Sequence, residues 1–261
     1  MSIVVNINPH KKKKIDFKLL NQMAYSKELY IGTFDDAYRY EQYTGKNDIR
    51  NVPFILFYKK LFGRGFSFLV DDDYNAELTL NYSCGVIDIA IFYKFITMYC
   101  KHFNLDKFTQ EGEVYSLDDI EKLQVEADDF NKRIVCKELK VGLTIFGCIY
   151  PIVIDDDLVL KLRSNEEDKA YNYFAKYLDN LQRPMYYYAI PLIYKNNNKY
   201  IAKYGLTKDV PSIFPKSTYL PFGYNQKILD NITSWSVAII ENQEYSITCE
   251  IPYNDFCKLI N

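Results

Sequence analysis

Histidine is nearly missing from this chain: His10 and His102 are the two imidazoles in 261 residues. A Ser–His or Cys–His nucleophile needs one of them beside it. His10 adjoins the lysine run at residues 11–14, which keeps it solvated, and His102 falls near the expected C-terminal end of a helix, where an imidazole is favoured anyway. Six cysteines are present (Cys84, Cys100, Cys136, Cys148, Cys249 and Cys257), but no CxxC pair occurs. Two histidines cannot complete a Cys/His zinc cluster, so the expectation is free thiols in a reducing compartment and no bound metal or cofactor. The phosphate-loop signatures GxGxxG and GxxxxGK followed by Ser or Thr are also missing. So is an unbroken apolar run: Val86 to Phe103 carries Asp88, Lys94, Lys101 and His102 and fails as a membrane span. The first eight residues lack the layout of a signal peptide. Charge excess is missing too, with Lys+Arg 32 against Asp+Glu 34. Nothing in bulk therefore draws the chain to nucleic acid or an acidic membrane, and a cytoplasmic location is expected.

What the chain has is aromatic bulk: 25 Tyr, 17 Phe and one Trp. Such rings build cores, grooves and contact surfaces, and they seldom perform chemistry alone. Lysine outnumbers arginine 26 to 6, and Asn, Ile and Tyr are abundant, the bias of a low-GC genome; part of the tyrosine excess is codon usage.

Hydrophobic periodicity predicts an α+β fold of antiparallel sheet regions packed by helices. Strands are expected at 3–8, 52–58, 66–70 and 76–82, and helices at 17–23 and from Thr33-Phe34-Asp35-Asp36 to Gly45. The stretch 85–104 places Val86, Ile89, Phe92, Tyr93, Ile96 and Tyr99 on one helical face. Residues 105–131 then carry nine acids against Lys107 and Lys122, a net of −7. This composition shift suggests two similar-sized halves, 1–104 and 105–261, with a boundary near 105–116; one continuous domain is the alternative. Ser116 caps a helix with its acids early and Lys132, Arg133, Lys137 and Lys140 late, in keeping with the helix dipole. Further strands are expected at 143–154, 158–162, 185–194, 200–206, 234–240 and 245–251. A helix opened by Ser164 and Glu167 and a short C-terminal helix at 253–260 complete the pattern.

Several residues invite a chemical reading. The acid runs Asp35-Asp36, Asp71 to Asp73 and Asp155 to Asp157 suggest cation sites, but Asp71-x-Asp73-x-Asn75 continues with Ala76 and Tyr82 where a calcium loop needs Gly and Glu, so turn acids are the better reading. Gly63-Arg64-Gly65 reads as a turn, yet an exposed Arg64 is suited to an anion or a partner. Tyr186-Tyr187-Tyr188 must alternate faces on a strand, which exposes one side. The segment 210–222, punctuated by Pro211, Pro215 and Pro221, reads as an irregular loop carrying Phe214, Tyr219 and Phe222. Arg64, Tyr186, Tyr188, Phe214, Tyr219 and Phe222 are therefore the candidate partner surface.

Four segments, in order, carry a resemblance: Gly63-Arg64-Gly65-Phe66; Ile145-Phe146-Gly147 with Tyr150-Pro151; Ala189-Ile190-Pro191; and Val210-Pro211-Ser212-Ile213-Phe214-Pro215. Together they resemble an uncharacterised domain-of-unknown-function family of low-GC Gram-positive bacteria. The resemblance implies an intracellular bacterial protein and no particular activity. The function expected from the sequence is a non-catalytic interaction protein, partner-binding or of immunity type. The rivals are a carboxylate-based hydrolase, which requires two acids joined in a pocket, and a carbohydrate-binding module, which requires exposed coplanar tyrosines.

Overall fold

The computed structural model describes residues 1–9, 14–34, 40–183, 187–197, 199–210, 212–215, 217–220, 226–241 and 246–260. The chain divides into two compact units, residues 1–182 and 183–261. The architecture is α+β, with largely antiparallel sheets packed by helices.

The first unit opens with β1 (Ser2–Ile7), α1 (Phe17–Ser26), β2 (Leu29–Phe34), β3 (Tyr40–Gln42), β4 (Phe54–Tyr58), β5 (Phe66–Val70), β6 (Ala76–Asn81), α2 (Val86–His102), β7 (Lys107–Gln110) and β8 (Glu113–Ser116). Its strands form one eight-stranded sheet in the order β3-β2-β4-β5-β6-β1-β7-β8. Alternation sets the register: Val5 lies opposite Leu78, and Leu78 opposite Phe68, so that one face is a continuous apolar surface. α2 lies on that face. Phe92 meets Phe66 with ring centres 5.5 Å apart, and Tyr99 meets Phe68 at 5.7 Å. β4 is apolar without alternation because both its faces are covered. Phe54 and Leu56 join the main core, while Ile55 and Phe57 pack with Phe62, Cys148 and Ile149.

Two expectations change here. No helix begins at Thr33: Leu29 and Ile31 are buried strand residues, and β2 runs through Phe34 to pair with β3, Gly32 opposite Gln42. The acidic stretch at 105–116, expected as a domain boundary, forms β7 and β8, and Asn6 opposite Thr109 ties it to the sheet. The division observed lies instead between Gln182 and Arg183, and the first unit is more than twice the length of the second.

The first unit continues with α3 (Ile120–Arg133), β9 (Thr144–Phe146), β10 (Pro151–Val153), α4 (Asp156–Arg163) and α5 (Glu167–Gln182). Ser116 precedes a 3-10 turn, Leu117–Asp119, that leads into α3, and the Asp119 carboxylate accepts from Ser116 N (2.8 Å) and Ser116 Oγ (2.7 Å). α3 then passes into a π-helical segment, Ile134–Glu138. Leu158 to Leu162, expected as a strand, lies inside α4: the Asp155 side chain accepts from Leu158 N at 2.8 Å, and acids fill the first turn. Ser164, expected to open α5, follows the end of α4, and its Oγ donates to Lys161 O at 3.3 Å.

The second unit comprises β11 (Tyr187–Tyr188), β12 (Pro191–Asn196), β13 (Lys199–Thr207), β14 (Ser212–Ile213), α6 (Gln226–Leu229), β15 (Ile232–Ile240), β16 (Ile247–Pro252) and α7 (Tyr253–Ile260). Four of its strands form a sheet in the order β12-β13-β15-β16. β13 and β15 pair in parallel, while the two outer pairings are antiparallel. Rings fill its core. Around Tyr204 stand Phe214 (5.1 Å), Tyr253 (5.7 Å), Trp235 (6.0 Å) and Tyr219 (6.4 Å).

Candidate functional site

The Gly63-Arg64-Gly65 turn between β4 and β5 is held by one carboxylate. Asp88, in the first turn of α2 and fully buried, accepts from Arg64 N (3.0 Å), Gly65 N (2.9 Å) and Gly85 N (2.9 Å). The glycines follow from this. A Cβ on Gly63 would overlap the Asp88 carboxylate, and Gly65 has φ +67°, the left-handed region. Burial pushes the Asp88 carboxyl up from its ordinary value, opposed by the three N–H donors and the Arg64 guanidinium. Around this centre, Asn131 Nδ2 donates to Cys84 O (2.9 Å) and Tyr171 Oη (2.7 Å), and Tyr171 Oη donates to Asp128 (2.8 Å). Gln182 Oε1 accepts from Ile149 N (2.8 Å) and Tyr150 N (2.7 Å), which pins the β9–β10 turn to α5. A Cβ on Gly147 would overlap that amide.

Arg64 comes out of this network with its side chain aimed by two backbone carbonyls. Nε donates to Phe146 O at 2.8 Å, and Nη1 donates to Tyr82 O. Burial lowers the guanidinium pKa, yet its ordinary value is so high that the group stays charged at neutral pH. Arg64 lines a groove of about 700 Å³ with Lys137, Lys140, Arg163, Tyr82 and Thr144. Three elements bring the other cations there: the π-helical segment supplies Lys137, the turn after it Lys140, and the last residue of α4 Arg163. π-helical turns recur at binding sites because the extra residue re-aims side chains. Lys137 pairs with Glu167 at 2.5 Å, and the one acid lining the groove, Glu138, pairs with Arg133 at 3.3 Å. Arg163 Nη2 donates to Leu139 O at 3.3 Å, and neither Arg163 nor Lys140 pairs with an acid among the described residues. The result is a groove of positive potential with Ile134, Leu139, Leu143 and Ile145 as apolar lining.

A family model, Domain of unknown function (DUF4299), matches residues 2–261. The chain belongs to this family. No curated protein and no solved structure matches it. The four segments behind the resemblance in the DUF4299 chain meet in pairs. In the first unit, Arg64 donates to Phe146 O beside Gly147. In the second, Ala189 N donates to Ile213 O at 2.9 Å, and Tyr253 Oη donates to Pro215 O at 2.8 Å.

Of the residues read as a partner surface, Arg64 lines this groove. Tyr219 is buried, its Oη donating to Ala189 O at 3.4 Å, and Phe214 packs edge-on against Tyr204. Tyr219 thus belongs to the second unit's core, while Phe214 packs on that core and stays half-buried. The backbone of Tyr188 pairs in parallel with Ile213, while Tyr186 and Phe222 lie outside the described residues. Lys137, Lys140 and Arg163 were not singled out in the sequence as ligands. The first two were explained as charges complementing a helix dipole, and Arg163 follows an apolar run read as a strand.

Two further grooves occur on the first unit. One, of about 850 Å³, lies along α2 and includes Lys27, Lys94, Met98, Lys101 and His102. The other, of about 560 Å³, includes Asp71, Asn75 and Asp106. Asp71 is spent on a turn, accepting from Asn75 N (2.7 Å) and Nδ2 (2.8 Å), and no group of three metal-ligating side chains occurs among the described residues. Asp88 and Asp128, the carboxyls that burial raises, line none of these three grooves. Among the described residues no helix is long and apolar enough to cross a membrane.

Proposed function

We propose that this DUF4299 protein is a non-catalytic binding protein whose first unit takes an anionic ligand in the Arg64 groove. One observation carries the reading: Arg64 is aimed by the carbonyls of Phe146 and Tyr82 at a groove that also holds Lys140 and Arg163, neither of which pairs with an acid among the described residues. A charge held in place before binding loses little rotamer freedom when a ligand arrives. The binding role expected from the sequence is kept, and the contact moves from the aromatic segments to this groove. The free thiols support an intracellular, reducing setting, and the lysine-rich composition supports a low-GC bacterial origin.

The test is calorimetric titration of the full chain with pyrophosphate at low salt. A saturable 1:1 isotherm is expected. It should weaken as salt rises and lose at least about tenfold in affinity in the Lys140→Glu, Arg163→Glu double variant. Binding that is indifferent to both changes, or no binding at all, would remove the reading. Circular dichroism of the variant separates a lost ligand site from a lost fold.

A further inference from the structure

Resting on that reading, the geometry points to a ligand class: we infer that the groove takes a phosphate monoester carried on an apolar body. The head group follows from the donors. Arg64, Lys140 and Arg163 line one groove, and none of their charged groups bonds a carboxylate among the described residues. Lys140 and Arg163, with Arg64 beside them, favour a dianion over a monoanion, because each added negative charge is attracted by every cation. Neutral donors suited to the remaining oxygens of a phosphate are present in the same lining. The hydroxyls of Ser83 and Thr144 and the amide of Asn81 make no side-chain bond to protein among the described residues.

The apolar body follows from the space and from the lining between the charges. At about 700 Å³ the groove is of the size that holds small organic molecules, and a bare phosphate would leave most of it empty. Leu143, in the turn leading into β9, lines it while remaining 45% exposed. Beneath lie Ile134, Leu139 and Ile145, whose side chains belong to the unit's buried interior. A ligand that covers Leu143 gains from the removal of apolar surface from water, a gain closed to a wholly hydrophilic phosphate. A sugar phosphate would set hydroxyls against these aliphatic side chains and lose their hydration without replacement.

Calorimetry with the full chain and four probes tests this: n-hexyl phosphate, inorganic phosphate, glucose 6-phosphate and hexanoate. Hexyl phosphate is expected to bind 1:1 and at least about tenfold tighter than each of the others. Leu143→Ser should narrow the gap between hexyl phosphate and inorganic phosphate, and Lys140→Glu with Arg163→Glu should weaken both. Equal affinity for hexyl phosphate and glucose 6-phosphate would overturn the apolar body and leave the anion groove standing. Hexanoate binding as tightly as hexyl phosphate would overturn the phosphate head. If none of the four binds and pyrophosphate is also silent, both this inference and the anion-binding reading fall.

Discussion

The two units position their groups by different physics. In the first, irregular turns are held by buried polar atoms: Asp88 gathers three N–H groups, Asn131 bridges Cys84 to Tyr171, and Gln182 holds the β9–β10 turn. In the second, the irregular segment is held by rings gathered on Tyr204. Hydrogen bonds are directional and costly to leave unmade, so they fix a side chain such as Arg64 in one orientation. Ring packing tolerates small shifts and fills volume. A groove that must present charges at fixed places belongs with the first kind of support.

Breaking the carboxylate should have the largest effect. Asp88→Ala leaves the N–H groups of Arg64, Gly65 and Gly85 without their acceptor, at about 1–3 kcal/mol for each that stays unsatisfied. Gly63→Ala should approach it, because the new methyl meets the same carboxylate. Urea denaturation followed by far-UV circular dichroism measures both. The chain's one tryptophan, Trp235, lies in the second unit and reports on it separately. Its fluorescence midpoint is expected to move less than the dichroism midpoint in Asp88→Ala, and an equal shift would show that the units unfold together.

The ring cluster should give a smaller and softer response. Tyr253→Phe keeps the ring, at 5.7 Å from Tyr204, and removes the donor to Pro215 O. About 1 kcal/mol should be lost on the Trp235 probe. Next comes the α1 cap. The Asp16 side chain accepts from Leu19 N at 2.8 Å, and that bond, with Asn47, holds its carboxyl below the ordinary value. A depressed carboxyl contributes stability that is present above its unfolded pKa and lost as pH falls through the folded one. Asp16→Ala should therefore cost about 1 kcal/mol at pH 7 and less at pH 3, as compared by urea midpoints at the two values. Smallest of all, Lys140→Glu should change stability by no more than about 0.5 kcal/mol, since Lys140 pairs with no acid among the described residues; its consequence is confined to ligand binding.

Legibility in the sequence followed how local each cause is. α2 and the strands β5 and β6 were readable because their burial is periodic along the chain. Leu158 to Leu162 was misread because five apolar-rich residues fit either period, and the deciding feature, the Asp155 cap, lies outside the run. Arg64 stood out through its flanking glycines and the scarcity of arginine. Lys137, Lys140 and Arg163 did not, because they join Arg64 only when α3, α4 and the β4–β5 turn pack together. In the sequence Asp88 reads as an interruption of an apolar run, whereas in the structure its carboxylate holds the turn more than twenty residues earlier. Irregular backbone suggests exposure for Tyr219, which the structure buries against the second unit's core, while Phe214 is half-buried beside it.

The parallel pairing of β13 with β15 has a kinetic consequence. Two adjacent parallel strands cannot be joined by a tight turn, so residues 208–231 must loop across before the ladder from Tyr200–Ile232 to Thr207–Ile240 can close. That loop-closure entropy is spent before the ladder gives any return, which slows the search for the folded state. The looping segment carries Phe214 and Tyr219, the rings that pack on Tyr204. Sealing the core and pairing the strands are therefore expected to be one event on the folding route, with the central sheet of the second unit unformed until its rings arrive.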